Sequence, residues 1–187
     1  FDQHVDLQRL EQQISAVRVR GMTPKMFEFN LAQKAKSEPK RIVLPEGEDP
    51  RVLQAAQKVV SRGLAEITLL GDPAAIKKSI TSHSLGVDYD AFEVIKPVES
   101  AHYEAFVKQL VKLRSHKGVT ESIAKDLICD VSYFGTMMVY AGLAHGMVSG
   151  AVHTTQHTIR PALQIIKTQP GVSLVSSVFF MCLDDRV

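Results

Sequence analysis

Two short apolar runs, 41-RIVLPEG-47 and 66-EITLLGDP-73, each lead into an Asp-Pro step, at Asp49-Pro50 and Asp72-Pro73. An aspartate carboxylate accepts the unpaired N–H groups of a helix start, and proline is at home in the first turn because it has no N–H to leave unpaired. Each segment therefore reads strand, turn, helix. The first helix runs to near Gly63, with Val52, Ala56 and Val59 inward. The same alternation continues along the chain. A helix of about four turns opens at Thr23-Pro24, with Phe27, Leu31 and Ala35 on one face. A short strand is predicted at 92-FEVIKP-97, and Ser100 precedes a helix to about His116. Two more helices are predicted over residues 120–128 and 131–143, and short strands at 146-GMVSG-150 and 173-SLVSSVFFM-181. Strands alternating with helices predict an α/β fold, a largely parallel sheet flanked by helices.

Charge and composition remove several functional classes. The net charge of 187 residues is only +2, which gives no bulk attraction to nucleic acid or to a membrane surface. Aromatic residues are 6% of the chain, and no basic tract carries the interleaved rings that stack on single strands. The longest mostly apolar run, 172-VSLVSSVFFMCL-183, is too short to span a bilayer. Cys129 and Cys182 form no CxxC pair and no disulfide framework, so a reducing cytoplasm is the expected compartment. The polar start FDQHVDLQRL is no signal peptide, and the chain reads as a piece of something longer.

The segment 149-SGAVHTTQHTIRPALQIIKT-168 carries the main chemical signal. Pro161 places a helix start nearby, with Thr158 as cap and Ile159, Leu163 and Ile166 as an apolar stripe. Arg160 then falls in the first turn, where the helix dipole disfavours a cation unless an anion shares the spot. Ser149, Gly150, Thr154 and Thr155 offer hydroxyl and backbone donors beside it, just after a strand, where open α/β sheets bind ligands. Neither GxGxxG nor a Walker loop is present, so a phosphate ligand would depend on arginines and helix starts.

Two further arginines qualify. Arg51 also lies in a first turn after a strand, although Glu46, Glu48 and Asp49 are near enough in sequence to pair with it. Arg114 continues the stripe of Tyr103, Val107 and Leu110 at i, i+4, i+7 and i+11, on the inward side of its helix. His153 and His157, four apart, have the spacing of a metal pair, of a general base and its neighbour, or of two structural histidines. No HExxH pattern or third ligand accompanies them, and no metal is expected. Glu46, Glu48 and Asp49 fit helix capping and turn chemistry better than an acidic metal loop.

The strings 40-KRIVLPEGEDPRVLQAAQ-57, 112-KLRSHKGVT-120 and 147-MVSGAVHTTQHTIRPALQIIKT-168, followed by SLVSSVFFM, closely resemble the phosphate acetyltransferase (phosphotransacetylase) family from about residue 23 onward. The resemblance implies reversible acetyl transfer between acetyl-CoA and phosphate, giving acetyl phosphate and CoA. CoA, acetyl phosphate and inorganic phosphate are the expected small-molecule partners, with CoA and acetyl-CoA as substrates rather than permanently bound cofactors. It carries CoA and phosphate binding onto Arg51, Arg114 and Arg160, and places Ser149, Gly150, Thr154 and Thr155 in the matching pocket loop. The family's aspartate base, with its helper serine and arginine, belongs to a later segment expected beyond Val187. No catalytic group is therefore expected within 1–187, and the segment alone is expected to be inactive.

The resemblance further implies a two-domain fold like that of isocitrate and isopropylmalate dehydrogenases. Residues 1–22 are then a lead-in from a preceding domain, 23–171 most of the first α/β domain, and 172–187 the start of the second. A homo-oligomer is expected, with no nucleic acid and no membrane among its partners. Two alternatives share the scaffold. A phosphate butyryltransferase would differ in its acyl pocket, and a transacetylase-like regulatory domain, as in some fused malic enzymes, would bind without turnover.

Overall fold

Both Asp-Pro steps start helices, and both helices return the chain to the same sheet. In the computed structural model, which describes residues 22–183, strand β1 (Arg41–Leu44) is followed by helix α2 (Pro50–Ser61), and β2 (Glu66–Leu70) by α3 (Pro73–Ser82). Asp49 caps α2 by accepting from the Arg51 N–H. Asp72 caps α3 by accepting from the Ala74 and Ala75 N–H groups. The remaining elements are α1 (Pro24–Ser37), β3 (Glu93–Ile95), α4 (Tyr103–Arg114), α5 (Glu121–Cys129), α6 (Val131–Tyr140), β4 (Gly146–Met147) and α7 (Thr155–Ile165). Among the described residues the strands form one sheet of order β3-β2-β1-β4, with every pairing parallel. The predicted α/β class with a parallel sheet is the observed one.

Side-chain alternation along the strands divides the core between the two faces of the sheet. Ile67 and Leu69 of β2 pack with Leu53 and Ala56 of α2 and Ile76 of α3. Val43 of β1 and Leu70 of β2 pack instead with Leu110 of α4, Ile128 of α5, Phe134 and Met137 of α6, and Ile165 of α7. A strand buried on both faces is what parallel pairing with helical crossovers requires. Helix α6 is buried from Ser132 to Met138. It lies so close to the sheet that a Cβ on Gly135 would stand 2.8 Å from the Met147 Sδ and 3.2 Å from the Val43 Cγ1.

The described residues fall into two compact units. One is 35–175, which holds the sheet. The smaller comprises 22–34 and 176–183, in which the Phe27 and Phe180 rings lie 5.1 Å apart. The expected lead-in at 1–22 lies, apart from Met22, outside the described residues.

Several local expectations are corrected. On α2, Ala56 is buried as expected and Val59 packs half-buried against the same core, but Leu53 takes the buried place expected of Val52, which is only half-buried. Helix α1 forms where expected but buries none of its residues, and Leu31 is exposed. Residues 173–181 form no strand. They lie exposed without regular structure. The largest correction concerns α7. Its cap is Thr154, not Thr158, so Pro161 is the seventh residue of the helix and Arg160 the sixth. The buried stripe is Pro161 and Ile165, while Ile159, Leu163 and Ile166 are 41%, 48% and 46% exposed. An interior proline forfeits one backbone bond at about 3 kcal/mol. Burial of Pro161 and Ile165 against the sheet-facing core offsets that loss.

Candidate functional site

From β1 the chain crosses to β2 on one side, while β4 arrives on the other. The loops after β1 and β4 therefore part at the carboxyl ends of these strands, the switch point where open α/β sheets form their ligand crevices. Pro45 to Asp49 come from one loop and Val148 to Thr154 from the other.

One carboxylate joins the two loops. Glu46, just past β1, is 7% exposed and accepts four backbone N–H groups from the opposite loop. Its Oε2 takes Gly150 at 3.0 Å and Ala151 at 2.8 Å, and its Oε1 takes Val152 at 2.8 Å and His153 at 2.7 Å. Gly150 makes this convergence possible, because its φ of +116° turns the chain where an L side chain is strained. Burial raises the Glu46 pKa, but the four amides together hold it below the ordinary carboxylate range. Arg51 ties the same loop from outside. Its guanidinium forks onto Asp49 at 3.0 and 2.9 Å, and its Nη2 also donates to the Ala151 carbonyl at 2.8 Å. The Arg51 partnership, first of all, keeps the Asp49 carboxyl below its usual range.

Beyond this loop lies a polar cleft of about 430 Å³ lined by Asp126, Asp130, Tyr133, Thr154, His157 and Arg160. The Asp130 Oδ1 caps α6 through the Ser132 and Tyr133 N–H groups, leaving Oδ2 to meet the His157 Nε2 at 2.8 Å. The Tyr133 hydroxyl donates to the Gln164 Oε1 at 2.9 Å. Burial pushes the Tyr133 phenol up, against the opposing pull of the Arg160 guanidinium, with Arg114 adding to that pull. Both arginines thus lie within electrostatic reach of one hydroxyl. Among the described residues no carboxylate pairs with either arginine, and the Arg114 Nε is buried without a partner.

The expected site residues are distributed as follows. Thr154 and Arg160 line the cleft, and Arg114 ends α4 with its Nε buried. Gly150 serves Glu46, Arg51 serves Asp49 and Ala151, and the Ser149 hydroxyl lies 3.4 Å from that of Thr158. Thr155 is the exposed first residue of α7. Arg160 lies about a turn and a half inside the helix and not in its first turn as expected, yet it lines the same cleft as the cap residue Thr154. The His153 and His157 rings stack at 4.5 Å, and the His153 Nδ1 lies 3.2 Å from the Glu46 Oε1 without hydrogen-bond alignment. Among the described residues no group of three His, Cys, Asp or Glu is gathered to hold a metal ion. No described helix is long and apolar enough to cross a membrane. Sequence reasoning missed Asp130 and Tyr133 as cleft walls. It also read Glu46 only as turn chemistry or as a local partner for Arg51. The available signal was a glutamate directly after a strand, opposite a Ser-Gly directly after another.

The phosphate acetyl/butaryl transferase family model matches residues 26–187. A phosphate acetyltransferase from Synechocystis sp. is 50% identical over 187 residues, covering 100% of this chain and 27% of the relative. One from Escherichia coli (strain K12) is 46% identical over 171 residues, covering 91% of this chain and 23% of the relative. The crystal structure of a phosphotransacetylase from Streptococcus pyogenes superposes with a TM-score of 0.76 at 40% identity, covering 82% of this chain and 46% of that one. The EutD phosphotransacetylase from Staphylococcus aureus does so at 0.70 and 44%, covering 77% and 43%. The chain spans about a quarter of the length of these curated relatives.

Proposed function

Because the chain belongs to the phosphate acetyl/butaryl transferase family, we propose that the whole protein interconverts acetyl phosphate plus CoA with acetyl-CoA plus phosphate. The observation that carries this reading is Arg160 in the wall of the cleft, without a carboxylate partner among the described residues, with a second such arginine, Arg114, on α4, its Nε buried. A guanidinium without a carboxylate partner, next to hydroxyl donors, suits the phosphate groups of both substrates. Thr154 adds a hydroxyl at the cleft, and Ser149, Gly150 and Thr155 belong to the loop and helix start that shape it. Arg51 keeps its Nη1 for an anion while Nε and Nη2 hold Asp49 and Ala151.

In this reading the CoA thiol, ordinary pKa about 8.5, gives its proton to a base. Its sulfur bonds to the acetyl carbonyl carbon, and the bond from that carbon to the phosphate oxygen breaks. The arginines hold the charge that the departing phosphate gains. The base and the oxyanion donor are assigned to the rest of the whole protein, and no group within this chain is given either role. The reaction as written needs no resident metal or cofactor. A cytoplasmic location completes the reading, supported by two free cysteines, and a homo-oligomer is part of the same proposal.

Titration of inorganic phosphate and of CoA into the whole protein and its Arg160→Ala variant tests the assignment. Loss of one charge-assisted hydrogen bond should weaken binding by at least about tenfold. Equal affinities in two folded proteins would overturn it.

A further inference from the structure

The bond between Glu46 and the loop after β4 serves no element of secondary structure. Residues Ala151 and Val152 are exposed, yet their N–H groups and those of Gly150 and His153 all point inward at one carboxylate. Four amides converging on one point make an anion nest, a concavity whose N–H groups favour a negative charge at its centre. Here the anion belongs to the chain itself. The residue that follows the nest is Thr154, the cap of α7, and one and two turns further on are His157 and Arg160 in the cleft wall.

We infer that Glu46 is a positioning residue: by filling the nest it fixes loop 150–153, and through it the start of α7 and the affinity of the cleft for its phosphate-bearing substrate. This rests on the proposed function for what the cleft binds, but not for how the loop is held. Glutamine in place of glutamate would keep the shape and present an NH₂ to amides that need an acceptor. Aspartate would keep the charge but retreat by one methylene from four bonds of 2.7–3.0 Å. Either change leaves the competent loop populated only part of the time, and apparent affinity falls by that fraction.

The whole protein, with Glu46→Gln and Glu46→Asp, provides the test. In the variants KM for acetyl phosphate or CoA should rise about tenfold or more while kcat at saturation stays within about threefold. A role confined to general stability would lower the melting temperature and the active fraction and leave KM unchanged. A folded Glu46→Gln protein with wild-type KM overturns the inference. Amide hydrogen exchange on the wild type gives a reading that depends neither on a variant folding nor on turnover. The Gly150 to His153 amides should exchange at least about a hundredfold more slowly than an open loop. Exchange at open-loop rates overturns the inference. If the wild type shows this protection but does not turn over acetyl phosphate and CoA, the proposed function fails and the assignment of Glu46 to the loop stands.

Discussion

Gly47 sits between the Glu46 carboxylate and α2, and its replacement by alanine tests how tightly the end of β1 is held. A Cβ built there stands 2.7 Å from the Leu70 carbonyl oxygen, 3.1 Å from the Leu69 Cβ and 3.4 Å from the Ile76 Cδ1. Ordinary contact begins at 3.4 Å, so the first neighbour must give by 3.4 − 2.7 = 0.7 Å. That neighbour is backbone, at the end of a strand paired on both sides, and cannot rotate away. The same carbonyl accepts the Gly47 N–H at 3.1 Å, so separating the two also stretches this bond. Overpacking of this kind costs roughly 1–3 kcal/mol and a lost hydrogen bond about 1 kcal/mol more. The expected loss is about 2–4 kcal/mol, or a fall in melting temperature of roughly 5–15 °C for a domain of this size. Gly146→Ala is the control, because its Cβ would meet only the Ile42 Cδ1 at 3.5 Å. It should change stability by no more than about 0.5 kcal/mol. Thermal or denaturant unfolding of the three proteins, compared at constant m, decides the matter. A Gly47→Ala protein as stable as Gly146→Ala would refute the reasoning from the close approach.

Arg114→Ala and Arg160→Ala should each lower kcat/KM by about one to two decades, with circular dichroism unchanged. Wild-type kinetics in both folded variants would remove these residues from the site. Activity should survive exhaustive chelation, because the His157 ring is held by Asp130 and stacks on that of His153, with no third ligand gathered beside them among the described residues; activity lost with stoichiometric zinc would reassign the histidines. Glu46 is held below its ordinary 4.5, so its contribution to stability is fully present above that value and fades as pH falls through the lower folded one. The stability difference between wild type and Glu46→Gln should therefore shrink in acid, and a difference that grows below pH 4.5 would contradict the assignment.

The parts of the fold legible in the sequence were those fixed by neighbours in the chain. Asp49-Pro50 and Asp72-Pro73 announce their helices because a cap acts over two or three residues. Arg114 was legible as inward-facing because its stripe, Tyr103, Val107 and Leu110, already marks the buried side of α4. The start of α7 was not, because Pro161 obeys a preference that tertiary packing overrode. The proline is buried with Ile165, and Thr154, seven residues upstream, provides the cap. With the cap misplaced, the apolar stripe fell on Ile159, Leu163 and Ile166, which the fold leaves exposed. The role of Glu46 was out of reach for a different reason. Its partners lie 104 to 107 residues further along, and only the adjacency of β1 and β4 brings them to it.

The central claim, that the arginine-lined cleft serves acyl transfer between phosphate and CoA, is tested most directly by the initial rate of acetyl-CoA formation. The assay supplies purified whole protein with acetyl phosphate and CoA, and runs butyryl phosphate in parallel. The account predicts saturable turnover that depends on both substrates and is faster with acetyl than with butyryl phosphate. A folded protein that binds CoA and turns over neither acyl phosphate would contradict it, and faster turnover of butyryl phosphate would contradict its choice of acyl group.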